Sequence, residues 1–422
     1  MERSLQIVTE MNSMEERKEN KNQNHIKIWL SREIKEPLFS LFLCTTGDLI
    51  TGFTMGFFSP SISAFPAIMV LIPASIGMRG NIFASLGSRL GTYLHTGQIR
   101  PDFRENNLLN QNIFSSIALS FLISFYIGAL ASLTAYLLGL RTGTVDLILI
   151  SMLAGVLSAV IMILFTILIA FLSFRRGWDP DNLTAPLITL MGDMLTLPLI
   201  FISMHAIANI SLLGKMILLL ILLFPIPLSV IYSKGKEVYS KILKESIPIL
   251  LACGLIEMFS GSILGRNIET LLLAPTIMVM LPSFLEDGGA MGGILASRLS
   301  SSLHLGIMKI GRKIPRLAWK RFATMHMLGI IVFSFIGALA HFIAHFLRLP
   351  SIPLHASILV ALLGGEILLV IVDFMVYYIS IESFKRGIDP DNVTIPIVTS
   401  TVDFIGAGCL LFSFLVLQAT LI

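Results

Sequence analysis

A polar motif that occurs twice inside apolar sequence constrains this chain more than any other feature. Residues 179–193 and 389–403 both read Asp-Pro-Asp-Asn-x-Thr-x-Pro-x-x-Thr-x-x-x-Asp. Leu, Ile and Val exchange freely in membrane helices, because lipid does not distinguish them. Polar residues that recur at fixed spacing in such sequence therefore indicate a chemical role.

The composition predicts an all-α polytopic membrane protein. The 422 residues are 55% hydrophobic and 13% charged, whereas soluble domains carry about 25% charged residues. The apolar runs are long enough for membrane helices and too long for barrel strands. We predict eleven spans, near residues 37–58, 66–92, 112–139, 144–173, 183–209, 212–233, 245–264, 270–299, 322–347, 354–382 and 393–420.

The repeat extends beyond the opening motif. With an offset of 209 residues, Cys44 aligns with Cys253 and Asp48 with Glu257. Five spans therefore make one unit, and the unpaired span near 212–233 lets the two units run in the same direction. The predicted domains are a cytoplasmic tail (1–35), a first repeat (36–211), a linking helix (212–235) and a second repeat (236–422).

The distribution of basic residues predicts the orientation. Most of the 30 Lys and Arg residues fall on one side when the N-terminus is cytoplasmic and the C-terminus is outside, as the positive-inside rule requires. The net charge of +4 is small and its basic residues lie in loops, so no nucleic-acid partner is expected. We expect an integral protein of the cell membrane, in contact with lipid.

The last Asp of each motif copy is predicted to lie near the middle of the membrane. Asp193 and Asp403 each follow the motif Asn by eleven residues, which is about 16 Å of helix in a core about 30 Å thick. Thr189 and Thr399 are one turn earlier on the same face. Carboxylates with hydroxyls and carbonyls form an oxygen-only site, which suits Mg²⁺ or Ca²⁺.

The remaining acidic and glycine-rich positions allow two interpretations each. Asp and Asn at the motif start either cap a helix or line the mouth of a path. The glycine clusters in the second and eighth spans either allow tight packing or form broken helices with exposed carbonyls. Asp48 and Glu257 either line a cation path or form a structural pair. The candidates are Asp179, Asp181, Asp389, Asp391, Asp48, Glu257, Glu286 and Asp287.

Two further observations concern the differences between the repeats. Glu286 and Asp287 have no acidic counterpart, and Arg79 aligns with Gly288. Arg79 is thus a candidate to neutralise Glu286 or Asp287 between the units. Glu366 and Asp373 lie in the tenth span without counterparts and rank lower as functional candidates.

The duplicated motif resembles that of the MgtE family of Mg²⁺ transporters. The stretch Pro73-Ala-Ser-Ile-Gly-Met-Arg-Gly-Asn81 resembles the solute-carrier branch, in which two MgtE-type membrane domains are fused. The resemblance covers residues 36–422. It implies a pseudo-dimer within one chain, a central cation pore, Asp193 and Asp403 as Mg²⁺ ligands, and Gly80, Asn81 and Gly289 as pore-lining residues.

The resemblance implies Mg²⁺ transport, either as a channel or as a carrier coupled to Na⁺. Our hypothesis for the coupling-ion site is Asp48 and Glu257, and Mn²⁺ or Co²⁺ are further candidate substrates because they share the oxygen preference. Mg²⁺ is then cargo, and no cofactor is expected. The alternatives are transport of another divalent metal or an organic solute, and an intramembrane aspartate-dependent enzyme. The symmetric recurrence of the carboxylates favours a transport path over an enzyme.

Overall fold

The structure, a computed structural model, is helical in the parts of the chain that it describes. These are residues 34–95, 97–101, 106–140, 143–176, 180–304, 306–308, 311, 313–386 and 390–421. The predicted all-α class is confirmed. The N-terminal tail that we predict lies outside the described residues except for its last two positions.

The helices of the first half recur one for one in the second half. The first half contains α1 (Glu36–Phe57), α2 (Ser59–Ala64), α3 (Ile68–His95), α4 (Asn107–Leu137), α5 (Thr144–Arg175) and α6 (Pro180–Ala208). The linking segment contains α7 (Leu212–Leu223) and α8 (Pro225–Tyr232). The second half contains α9 (Glu237–Arg266), α10 (Ile268–Leu273), α11 (Pro275–His304), α12 (Arg316–Phe346), α13 (Leu354–Lys385) and α14 (Pro390–Leu421).

The repeat includes the backbone conformation of the turns. Gly97 and Gly306, 209 residues apart, follow α3 and α11 with φ of 71° and 66°. Gly139 after α4 has φ 71°, and Arg348 at the equivalent position after α12 has φ 57°. Positive φ is costly for residues with a Cβ, so the second half keeps the turn of the first even where glycine is absent.

Ten helices or helix pairs among the described residues are long and apolar enough to cross a membrane. We predict eleven spans, and α11 is the difference. It is 30 residues long and occupies in the second half the place of α3 in the first. Glu286 and Asp287 lie in its apolar part and lower its mean hydropathy, so length and topology rather than apolarity identify it as a span.

The glycine-rich helices are continuous through their glycine clusters. Helices α3 and α11 contain Pro73 and Pro282 in their interiors, and short helices α2 and α10 precede them. The interpretation of these stretches as broken helices is therefore wrong for the clusters themselves. Their backbone carbonyls are engaged in helix hydrogen bonds, and the glycines serve close approach instead.

The first helix of each half packs on the other half. Helix α1 lies against α11 and α12, and α9 lies against α3 and α4. At the crossings, a Cβ on Gly52 would meet the carbonyl oxygen of Val279, and a Cβ on Gly261 would meet that of Val70. Small residues at such crossings let membrane helices pack closely, so the two halves are interlocked.

The linking segment is peripheral. Only 6% of the apolar window of Leu212–Tyr232 is buried, and the segment lies against α4 and α5. It carries no side chain into the space between the halves. The exact domain boundaries given above remain predictions.

Candidate functional site

A central cavity of about 370 Å³ lies between the two halves. Helices α1, α3 and α6 of the first half and α9, α11 and α14 of the second provide its wall. The sequence candidates that line it are Gly80, Asn81, Thr189, Asp193, Glu257, Glu286, Gly289, Thr399 and Asp403. The fold therefore brings most of the candidates from both repeats to one place.

Asp193 on α6 and Asp403 on α14 are the equivalent carboxylates of the two halves, and they interact electrostatically across the cavity. Asp193 is 7% exposed. Thr189 and Thr399 lie one turn earlier on the same helices and face the same cavity. The spacing of four residues thus places a hydroxyl beside each carboxylate, as predicted from the helical periodicity.

Glycines allow the lining helices to approach these threonines. A Cβ on Gly80 would lie 3.3 Å from Cγ2 of Thr189, and one on Gly289 would lie 3.7 Å from that of Thr399. Helices α3 and α11 therefore pass close beside α6 and α14 at the level of the hydroxyls. Larger residues at these positions would reduce the cavity.

Glu257 on α9 connects the halves. Its carboxyl group interacts with that of Asp403, and its Oε1 would lie 2.7 Å from a Cβ on Gly77 of the first half. Ser260, one turn later, donates to the backbone carbonyl of Asp403 at 2.9 Å. Two interacting carboxyl groups favour a proton or a cation between them, because two bare negative charges would repel.

Asp48, the counterpart of Glu257, is buried beside the cavity and does not line it. Neither carboxylate oxygen has a hydrogen-bond partner among the described residues. It interacts electrostatically with Asp193, Glu286 and Asp287. A buried carboxylate without a partner is costly, so this position calls for a ligand or a proton.

The two halves differ in the length of the acidic side chains at this level of the cavity. Glu286 on α11 occupies the position that Gly77 has on α3, 209 residues earlier. The long Glu257 thus lies over a glycine, whereas the short Asp48 faces Glu286. Asp287 accepts a hydrogen bond of 2.5 Å from the Thr45 hydroxyl of the other half and does not line the cavity.

Arg79 does not neutralise these acids, contrary to the interpretation from sequence. It is 2% exposed, and its guanidinium donates to the hydroxyl of Ser124 on α4 and lies against Gly155 on α5. The side chain therefore points away from the cavity into its own half. Sequence alignment alone does not give this direction.

Four candidates at the start of the two motif copies have no described side chain. Asp179 and Asp389 lie outside the described residues. Asp181 and Asp391 belong to the first turns of α6 and α14, but only their backbone is described. Their assignment to the mouth of a path remains a prediction.

Thr51 is a lining residue that the sequence reasoning missed. It lies one turn after Asp48, faces the cavity, and its hydroxyl has no hydrogen-bond partner among the described residues. The available signal was its alignment with Ser260 at the offset of 209. A hydroxyl residue therefore recurs one turn after the acidic residue in both halves.

The lining can bind a hard cation through water. Its polar side chains are carboxylates, hydroxyls and an amide, which are oxygen donors suited to Mg²⁺. Among the described residues, no three His, Cys, Asp or Glu side chains converge closely enough to hold a bare metal ion. Six water molecules fill roughly 180 Å³ at about 30 Å³ each, so the cavity has room for an ion with its first hydration shell.

The fold and the cavity define a polytopic membrane protein with two repeated halves and an acidic chamber between them. The MgtE family model, described as a divalent cation transporter, matches residues 72–203 and 281–413. These two matches cover more than half of the chain and one falls in each repeat. The chain belongs to the MgtE family of divalent cation transporters.

Similar proteins are found in vertebrates. Solute carrier family 41 member 2 of Xenopus laevis is 27% identical over 83% of this chain and 65% of its own length. Member 3 of Rattus norvegicus is 26% identical over 82% of this chain and 79% of its own length. Member 2 of Homo sapiens is 26% identical, with 63% of its length covered. No solved structure matches the chain.

Proposed function

We propose that this protein transports Mg²⁺ across a membrane through the central cavity. The observation that carries the proposal is the pair Asp193 and Asp403, which two equivalent helices direct into one chamber between the halves. Membership of a divalent cation transporter family supports the class of cargo. The chamber is acidic and has no lining cation among the described residues, which opposes an anionic substrate.

In this proposal Mg²⁺ enters with most of its water. Mg²⁺ dehydrates reluctantly and is usually held by one or two carboxylates together with water. Asp193 and Asp403 hold the hydrated ion on the pseudo-twofold axis, and the hydroxyls of Thr189 and Thr399 accept hydrogen bonds from its water. Mn²⁺ and Co²⁺ share the oxygen preference and are expected to compete.

The other candidates have supporting roles. Glu257 and Glu286 contribute negative charge to the chamber, and Gly80, Asn81 and Gly289 form its narrow sides. Asp179, Asp181, Asp389 and Asp391 form the cytoplasmic mouth. We place the N-terminus in the cytoplasm and the C-terminus outside the cell membrane, because basic residues concentrate on the side that this choice makes cytoplasmic.

The direct test is flux of Mg²⁺ into liposomes that contain the purified protein. Asp193→Asn and Asp403→Asn should each lower the flux at least tenfold, because each removes one of the two axial charges. Asp146→Asn is the matched control. Asp146 on α5 lies away from the cavity, and its Oδ1 is paired with Nζ of Lys215 at 2.7 Å. Folded Asp193 and Asp403 variants with wild-type flux would refute the proposal.

We further propose that Na⁺ drives this flux and binds at Asp48. Its two unpartnered oxygens beside the cation chamber support this site, and Glu257 is its counterpart. In liposomes with an imposed Na⁺ gradient, Asp48→Asn together with Glu257→Gln should abolish the gradient dependence. Unchanged Na⁺ dependence in that double variant would exclude these residues as the coupling site.

A further inference from the structure

A second cluster of ionisable side chains lies away from the chamber, between α12 and α13. His326 on α12 is hydrogen-bonded through Nδ1 to Oε2 of Glu366 at 2.5 Å. Its Nε2 lies 3.4 Å from Oδ2 of Asp373. We call these three residues the α12–α13 triad. Neither helix contributes a lining residue to the described chamber, so the triad is separate from the proposed cation path.

The positions of the triad are deep in the membrane. His326 is ten residues from the start of α12 and Asp373 is twelve from the end of α13, or about 15–18 Å of helix. The side chain of Asp373 is 2% exposed, and those of His326 and Glu366 are 29% and 27% exposed. Ionisable residues at this depth are rare and indicate function.

The geometry of the triad does not suit a metal ion. The two ring nitrogens of His326 face different carboxylates, so the three groups surround the ring instead of converging on one point. Among the described residues no group of His, Cys, Asp and Glu could hold a metal. The ligand that the arrangement can take is therefore the proton.

Two protons are needed to keep both contacts of the ring. A ring nitrogen faces a carboxylate oxygen favourably only when a proton lies between them. The intact triad thus contains an imidazolium between two carboxylates, because imidazole binds a proton more tightly than a carboxylate does. If one proton is lost, a ring nitrogen and a carboxylate oxygen face each other with lone pairs only. They repel, and the contact between them is lost.

No other described ionisable group supplies a compensating charge. The groups that interact electrostatically with His326 and Asp373 are the other members of the triad. The described charged residues on the helices packed against α12 and α13 do not interact electrostatically with His326 or Asp373. They are Asp48 on α1, Glu286, Asp287 and Arg298 on α11, and Asp403 on α14. Oε1 of Glu366 has no hydrogen-bond partner among the described residues, and the 3.4 Å approach of Nε2 to Asp373 is an ion-pair contact without a hydrogen bond.

The triad belongs to the second half alone. Gly128 on α4 packs on Ile148, and Gly337 on α12 packs on Ile358, which fixes offsets of 209 and 210 for these helices. The equivalents of His326, Glu366 and Asp373 in the first half are then Ile117, Val156 and Ile163. An apolar trio suffices for packing there, so the fold itself does not require the triad.

We propose that His326, Glu366 and Asp373 form a proton-binding site within the membrane, and that its occupancy controls the contact between α12 and α13. Glu366 holds one nitrogen of the ring and Asp373 faces the other. Release of the proton separates one carboxylate from the ring and loosens the two helices. This site is additional to the cation chamber and does not depend on its role.

The first test is nuclear magnetic resonance of the protein in liposomes with ¹⁵N-labelled histidine. The chain has eight histidines, and comparison with His326→Gln identifies the His326 signal. We expect His326 to carry protons on both nitrogens and to lose one as pH rises. Asp373→Asn and Glu366→Gln should each move this midpoint to lower pH by about one unit or more, because each removes a neighbouring negative charge.

His341 provides the matched control on the same helix. Its Nδ1 is bound to the backbone carbonyl of Ile352 at 2.8 Å, so its signal should not respond to Asp373→Asn. A His326 signal that stays neutral throughout, or whose midpoint ignores both carboxyl variants, would overturn the proposal. The wild-type titration remains decisive if a variant does not fold.

The second test is amide hydrogen exchange of α12 and α13 across the same pH range. After correction for the intrinsic pH dependence of exchange, protection of the two helices should fall when His326 loses its proton. His326→Gln should remove this step, whereas His341→Gln should keep it. Protection that does not change at the His326 midpoint would overturn the control of the α12–α13 contact.

Discussion

Gly155 and Gly365 lie at equivalent positions of the two halves, and different side chains fill the space beside them. In the first half, the guanidinium of Arg79 and the hydroxyl of Ser124 occupy the space at Gly155. In the second half, the ring of Phe333 occupies the space at Gly365. The backbones match, while the side chains in the outer layer have changed from polar to aromatic.

The inner layer shows the opposite behaviour. Asp193 and Asp403, and Thr189 and Thr399, are retained in both halves at one cavity. A site on a pseudo-twofold axis needs both copies, whereas each outer interface needs only good packing. The side chains at the cavity therefore repeat where the proposed cation site needs them, whereas the outer interfaces differ between the halves, as the α12–α13 triad shows.

The largest expected effect tests the part of the fold that the halves share. Gly52→Ala and Gly261→Ala should each destabilise the protein by at least about 3 kcal/mol, above the usual overpacking cost, because the added Cβ meets backbone. The measurement is thermal unfolding in detergent. Gly408→Ala is the control, since its nearest neighbour would be Ile263 at 3.8 Å. Unequal losses at Gly52 and Gly261 would show that the two helix crossings are not equivalent.

A smaller loss of stability is expected from the hydrogen bond between Thr45 and Asp287, which has no equivalent at the symmetry-related position. Thr45 donates to the buried carboxylate of Asp287, and the equivalent pair in the other half is Gly254 and Met78. Thr45→Val should cost about 1–3 kcal/mol, because it leaves a buried acceptor unsatisfied. Thr46→Val on the exposed face of α1 should cost less than half of that, measured by the same unfolding assay. Equal costs would show that the hydrogen bond is not specific.

The smallest effect concerns Arg79. Its Nε and Nη1 have no hydrogen-bond partner among the described residues, so its burial is only partly compensated. Arg79→Met should be neutral or stabilising by up to about 2 kcal/mol, since an apolar side chain often replaces a buried charge at no cost. A loss of several kcal/mol in thermal unfolding would show that the arginine holds the first half together.

Much of the fold followed from the sequence. The helical class was readable from the apolar runs, and the duplication was readable from the two motif copies. The spacing of four residues between Thr and Asp in each motif copy predicted that both side chains share one face of a helix. These predictions depend on local periodicity and on internal comparison, which one sequence contains.

The rest depended on tertiary packing. Glu257 reaches the cavity while the aligned Asp48 stays behind its wall, because the longer side chain lies over Gly77 whereas the shorter one faces Glu286. The rotamer of Arg79 depends on the space at Gly155, which no alignment gives. Glu366 and Asp373 were noted as lower candidates, but His326 was missed because its partners are 40 and 47 residues away on another helix.

In the proposed function, both halves together hold one hydrated cation on their common axis. Mn²⁺ is a paramagnetic substitute for Mg²⁺, so its binding and its hydration can be measured by electron paramagnetic resonance on the purified protein. We expect one tightly bound Mn²⁺ per chain, and we expect it to keep most of its bound water molecules. Both Asp193→Asn and Asp403→Asn should abolish this binding. Two independent ions, or one ion that survives either substitution, would contradict the account.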